Sequence, residues 1–149
     1  MSIIYSPEQI AVAAESWKYW KGVGLDDVHA AAWLGNEDGE TSFNPRAIGD
    51  RGEAFGPAQD HLMRVLAIKQ GCGIDIRTAP HLDQLEAIFW EVSQGTYKHV
   101  WTKVKATETL QAAVAILVQD YEQSGDQTRD IARRTVLATY WLGQFGSNQ

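Results

Sequence analysis

The chain has 149 residues, a formal net charge of −6 and a pI near 5.1, with 44% hydrophobic and 21% charged residues. That length suits one domain, spanning 1–149, built on a single core, and the acid excess argues against nucleic acid as a partner because phosphate binding needs clustered Lys and Arg. No apolar run approaches the roughly 20 residues of a membrane span, and the single cysteine, Cys72, excludes an internal disulfide framework.

Helix signals dominate in chain order. "SPEQIAVAAESWKYW" opens with Ser6 as N-cap, Pro7 at the first helical position and Gln9 at the third, a capping-box pattern. Trp17 and Trp20 fall at helical spacing with Ile10, Ala13 and Ala14, and the stripe ends near Gly22 and Gly24. A second helix is expected from Leu25 to about Glu37, with Leu25, Val28, Ala32 and Gly35 inward. A third follows Gln59, with Leu62, Val65, Leu66 and Lys69 at helical spacing, and ends at Gly71. A fourth starts after Pro80 and carries Leu82, Leu85, Ile88, Phe89 and Val92 at a period of 3.6. A short helix covers "YKHVWTKV". The fifth long helix, "TETLQAAVAILVQDYE", places Leu110, Val114, Leu117, Val118 and Tyr121 on one face. The last begins at Asp126 and aligns Ile131, Thr135, Ala138 and Trp141. Arg129, Arg133 and Arg134 form the densest basic spot, which reads as a solvated helix face. Most of the six tryptophans and five tyrosines are expected in the core.

One region refuses this periodicity. Between Glu40 and Gln59 stand Pro45, glycines 49, 52 and 56, then Pro57. That composition suits a short β-hairpin or irregular loop after the second helix, and loops on a rigid scaffold concentrate catalytic residues. Two acids flank it. Glu40, walled by Phe43 and Phe55, would have its carboxyl pKa raised by burial and could donate a proton to a leaving oxygen. Asp50, beside Arg51 and two glycines, would stay ionised. Such a pair meets the requirement for glycoside hydrolysis. On composition alone, the favoured reading of Glu40 is as one of a group of surface acids with Glu37 and Asp38. "EDGE" lacks the spacing of a calcium loop. His29, His61, His81 and His99 lack zinc-ligand spacing. No GxSxG elbow or phosphate-binding loop occurs. No metal or cofactor is expected.

The segment "GNEDGETSFNP" resembles the "GN…ES-x-FNP" segment of phage-tail lysozyme-like domains and soluble lytic transglycosylases, and "GDRGEAFGPAQ" resembles the "GDRG…FG…Q" segment of goose-type lysozymes. "YE" at Tyr121 and Glu122, followed by a turn and an Arg- and Ala-containing helix with Arg129 or Arg133, is similar to the phage-type domains. The resemblance covers about two-thirds of the chain. It implies that Glu40 is the catalytic acid, that Asp50 positions or activates water, and that Gln59 lies in the sugar-binding cleft. Thr41 stands where the family has Ser, and Asp60 where relatives have an apolar residue. The spacer between Glu40 and Asp50 is shorter than in goose-type lysozymes, so Glu53 or Asp60 could take the second acid's place.

These readings combine into a mainly α, lysozyme-like α+β domain whose small β or loop insertion flanks a substrate cleft. Its implied substrate is bacterial peptidoglycan, cut at the β-1,4 bond between N-acetylmuramic acid and N-acetylglucosamine. Glu40 and Asp50 are the catalytic candidates; Thr41, Gln59 and Tyr121 are the substrate-binding ones, with Tyr121 also placed on an apolar stripe that suits core packing. Three alternatives remain at this point: a lytic transglycosylase, a non-catalytic peptidoglycan-binding or virion structural domain, and a helical interaction protein whose motif is coincidental. The start, "MSIIYSPEQ", lacks the pattern of a secretory leader, so the expectation is a monomer made in the host cytoplasm and brought to the wall by a holin or a virion, with no membrane insertion.

Overall fold

A computed structural model describes residues 3–49 and 54–147. Among these, the helices are α1 (Pro7–Gly22), α2 (Asp27–Thr41), α3 (Leu62–Cys72), α4 (His81–Ser93), α5 (Lys98–Ala106), α6 (Leu110–Ile116) and α7 (Gln127–Phe145). A small antiparallel sheet follows α2, with β1 (Ile48–Gly49), β2 (Ala54–Phe55) and β3 (Asp60–His61) in that spatial order. Ile48 pairs with Phe55 and Ala54 with His61. The architecture is mainly α with the small sheet where the turn-rich segment predicts it.

The helix starts follow local chemistry. Ser6 Oγ accepts from the Gln9 amide while Gln9 Oε1 accepts from the Ser6 amide, a complete capping box. Asp26, Thr109 and Asp126 cap α2, α6 and α7 through their side chains. The inward faces differ in places from the periodic reading. Ile10 and Ala14 are exposed on α1, whose buried residues are Ala13, Ser16 and Trp20. The stripe is turned so that Ser16 can reach a buried polar cluster. On α3, Leu62 and Leu66 are exposed and Val65 and Ile68 are buried. Leu82 is exposed at the start of α4.

Two differences shape the site. First, α2 runs four residues past Glu37 to Thr41, and its residues from His29 to Asp38 are all buried. Burial of "NED" is possible because each polar side chain finds a partner. Glu37 accepts from Ser16 Oγ at 2.5 Å and meets His81 Nε2 at 2.8 Å. Asp38 accepts from Trp141 Nε1 at 3.0 Å and from the Tyr5 hydroxyl. Second, the helix expected to run to Glu122 changes geometry after Ile116 into a π-helical turn, Leu117–Glu122. The Gln123 amide bonds back to Val118 O, and Gln123 takes the left-handed conformation at φ 54°. Such wide turns inside helices recur at functional sites.

The core is aromatic at its centre. Trp20 stacks on Trp33 with centroids 4.5 Å apart, and Trp33 meets Tyr121 edge-on at 5.5 Å. Phe43 packs edge-on against Trp141 at 5.2 Å. No helix among the described residues is long and apolar enough to cross a membrane.

Candidate active site

Glu40 projects from the last turn of α2 into a cleft of about 320 Å³. The cleft is lined by Ala54, Gln59 and His61 from the sheet, Arg64 from α3, Glu122 and Ser124 from the end of the π turn, and Asp130 and Arg134 from α7. Phe43 and Phe55 do not line it, so the wall around Glu40 is polar and charged, not the aromatic one expected. The Glu40 side chain keeps 16% of its surface exposed and pairs with the Arg134 guanidinium. Glu37 and Asp38, its neighbours in sequence, are buried structural groups and not surface acids. Successive helix residues point about 100° apart, so three nearby acids reach three different environments.

Arg134 is 5% exposed, against the reading of the basic spot as a solvated face. Its Nη1 donates to Asn36 Oδ1 at 2.6 Å and its Nη2 to Glu40. Glycine at 35 and 39 makes this approach possible. A Cβ on Gly35 would stand 2.7 Å from Ala138 Cβ, and one on Gly39 2.8 Å from Arg134 Cγ and Nε. These two glycines, one turn apart, form the groove in α2 where α7 lies. The signal in the sequence was the spacing of Asp130, Arg134, Ala138 and Trp141, which share the buried face of α7.

Asn36 also donates from Nδ2 to Glu122 Oε1 at 3.2 Å. Glu122 hydrogen-bonds Glu40, and its pKa is pushed well above the ordinary range by burial and by the Glu40 charge. Asp130 behaves oppositely. Burial pushes its carboxyl up, but hydrogen bonds from Ser124 and Arg129 and the charge of Arg134 outweigh this and hold it below the ordinary range. Its Oδ2 accepts from Ser124 Oγ and its Oδ1 from Arg129 Nε at 3.2 Å.

Behind the cleft lies a buried charge network. Arg64 donates from Nε and Nη2 to the two oxygens of Glu91 at 2.9 and 2.8 Å, a bidentate pair. Its guanidinium lies between the rings of Tyr97 and Tyr121, 4.4 and 4.6 Å from their centroids. Asp60 Oδ1 is 3.0 Å from Arg64 Nη2, and Asp60 has no exposed surface. Burial, with the charges of Glu91 and Glu40, pushes its pKa up to about 7 against the opposing pull of Arg64. Among the described residues, no group of three or more His, Cys, Asp or Glu side chains is arranged to hold a metal ion.

The sequence-derived candidates separate here. Glu40 and Gln59 share the cleft. Gln59, at φ 50°, turns its Nε2 to Ala47 O and Gly56 O, both at 3.1 Å, and so ties the sheet together. Thr41 donates back to Glu37 O at 3.1 Å and borders a separate pocket with Gln9 and Phe43. Tyr121 is fully buried, its hydroxyl donating to Glu91 Oε1 at 2.7 Å. Asp50 and Glu53 lie outside the described residues.

A helical body, a small antiparallel sheet after its second helix and an acid at the junction define a lysozyme-like protein. The family model for phage tail lysozyme matches residues 11–145, and the chain belongs to that family. It is therefore a lysozyme-like, peptidoglycan-degrading enzyme by family. No curated protein sequence matches it.

Proposed function

We propose that the chain, acting as one catalytic domain, cleaves the β-1,4 bond between N-acetylmuramic acid and N-acetylglucosamine in peptidoglycan, with Glu40 as general acid. The observation that carries this reading is the placement of Glu40. It stands at the junction of helix and sheet, part-exposed in a cleft of saccharide scale, and is braced by Arg134. Bracing fixes the carboxyl against the glycosidic oxygen, and such orientation lowers the barrier. The charged and polar lining supports a polar sugar substrate.

Asp50 remains the favoured base, on the strength of its motif. Asp60 has no surface from which to activate water. Delivery by a holin or a virion is the route to the wall that we favour.

Lytic transglycosylation is the second reading, and one observation favours it. The other carboxylates lining the described cleft are engaged: Glu122 with Asn36 and Glu40, Asp130 with Ser124 and Arg129. If Asp50 does not serve, the substrate's own acetamido group takes the base's place.

Digestion of purified peptidoglycan by the wild type and Glu40→Gln, with muropeptides read by mass spectrometry, tests both. Reducing-end products lost in the variant are the expected result. Products lighter by one water would make the enzyme a transglycosylase. No products from the wild type would leave a wall-binding domain.

A further inference from the structure

We propose that Glu122 is the positioning partner of Glu40, hydrogen-bonded to it so that the two carboxyls hold one proton between them and deliver it through Glu40. The proposal rests on the reading of Glu40 as general acid. Its geometry comes from three elements. The π-helical turn sets Tyr121 into the core, where its hydroxyl meets Glu91, and places the next residue, Glu122, at the cleft. Asn36, one helical turn before Glu40, grips both flanking groups. Its Oδ1 accepts from Arg134 and its Nδ2 donates to Glu122 Oε1. With Oε1 occupied as an acceptor, a proton on the other oxygen suits donation to Glu40.

The electrostatics agree with one shared proton. Two carboxylates in hydrogen-bond contact do not both ionise readily, and protons leaving such a pair belong to the pair and not to either member. The charged groups around Glu122 are Glu40 on α2, Asp60 and His61 on β3, Arg64 on α3, and Asp130 and Arg134 on α7. Burial and the Glu40 charge push the Glu122 carboxyl up, and Arg64 opposes them.

As general acid, Glu40 needs a proton to give to the glycosidic oxygen. With Glu122 beside it, the shared proton moves onto Glu40 and then to the glycosidic oxygen as the C–O bond breaks. The pair becomes doubly anionic next to Arg134 and takes a proton back from the water that adds to the glycosyl carbon. Protons balance over the cycle.

Two readouts test this on the intact chain. The first is carboxyl ¹³C NMR titration of wild type, Glu122→Gln and Glu40→Gln, which needs no substrate and so decides the pairing even if the hydrolase reading fails. Expected is a wild-type pair whose two signals move together, the last proton leaving above the ordinary carboxyl range. In Glu40→Gln the Glu122 carboxyl should titrate lower than the wild-type pair's last step, because the Glu40 charge that pushes it up is gone. Independent titration of the two carboxyls in the wild type would overturn the proposal. The second is the pH–rate profile for muropeptide release. Glu122→Gln keeps the shape but has no carboxyl proton to share with Glu40. The alkaline limb of kcat should move down by about one pH unit, with about a tenfold loss at pH 7 and little change in KM. A uniform loss at every pH, with the limb unmoved, would assign Glu122 a merely structural role. Should Glu122→Gln fail to fold, the wild-type titration decides alone.

Discussion

Gly39 lies so close to Arg134 that a methyl group at position 39 would stand 2.8 Å from both Cγ and Nε of the arginine. The residue beside the proposed acid is thus a glycine because the arginine that braces the acid passes over it. Gly39→Ala should push Arg134 off Glu40. Side-chain displacement is cheaper than moving a helix, so the stability loss should be about 1–3 kcal/mol. The activity loss should be larger in proportion, about 10²-fold in kcat, because misplacement by about 1 Å has that effect. Urea denaturation and muropeptide release measured on the same preparation check the contrast. An alanine variant as active as wild type would mean that the Arg134 brace is unnecessary.

Much of the fold was legible because local rules decide it. Ser6 with Gln9, and Asp126, marked helix starts that the structure keeps. The cluster of glycine and proline after Glu40 marked the sheet. What escaped notice depends on distant partners. The stretch "NED" ends the apolar pattern of α2, yet it is buried, since Arg134, His81, Tyr5 and Trp141 come to it from α7, α4 and the N-terminal segment. The π turn was invisible because the apolar stripe through Leu117, Val118 and Tyr121 fits an ordinary helix equally well. Arg134 was hidden by Arg129 and Arg133, its neighbours in the basic spot, although its spacing from Ala138 put it on the buried face.

Asp60 should make the protein less stable as pH rises from acid to neutral. Its folded pKa is pushed up to about 7, above the ordinary 3.8. Between those values the folded state keeps a proton that the unfolded chain has released. Unfolding then releases a proton, and stability falls with rising pH. Asp60→Asn removes this group's contribution while keeping its size. Its stability relative to wild type should improve from pH 4 to pH 8, by up to a few kcal/mol. The wild-type slope should shrink but not vanish, because the raised Glu122 carboxyl acts in the same direction. Denaturant midpoints across the pH series check this; parallel curves for the two proteins would refute it.

His81 acts on the pH dependence in the same direction. It is buried between Glu37, 2.8 Å from Nε2, and Glu15, 2.6 Å from Nδ1. Burial pulls the imidazole pKa down, but hydrogen bonds and charge from the two glutamates outweigh it and leave the pKa above 6.5. A raised histidine pKa gives stability that is complete below about 6.5 and is lost as pH rises through the folded value. The His81 ring signals in NMR should therefore titrate above 6.5. Replacing His81 with Gln should cost about 3 kcal/mol at pH 6, since the buried Glu37 loses its cationic partner. The deficit should narrow as pH rises. A His81 midpoint below 6.5 would contradict the assignment.

Gln59 should affect substrate binding more than chemistry. Its side-chain amide ties Ala47 O to Gly56 O and holds β1 against the turn between β2 and β3. Its Oε1 also crowds the position a Cβ at residue 49 would take, so Gly49 and Gln59 fit together as one unit. Gln59→Ala removes two hydrogen bonds from a sheet of two-residue strands, at a cost of about 1–2 kcal/mol. The sheet supplies Ala54, Gln59 and His61 to the cleft wall, whereas Glu40 and its Arg134 brace belong to the helices. Loosening the wall should raise KM about fivefold and change kcat less than twofold, since uniform binding lost without a transition-state contact appears in KM alone. Gly49→Ala should reproduce the KM effect by displacing the same side chain. A fall in kcat with KM unchanged would instead place Gln59 against the reacting sugar.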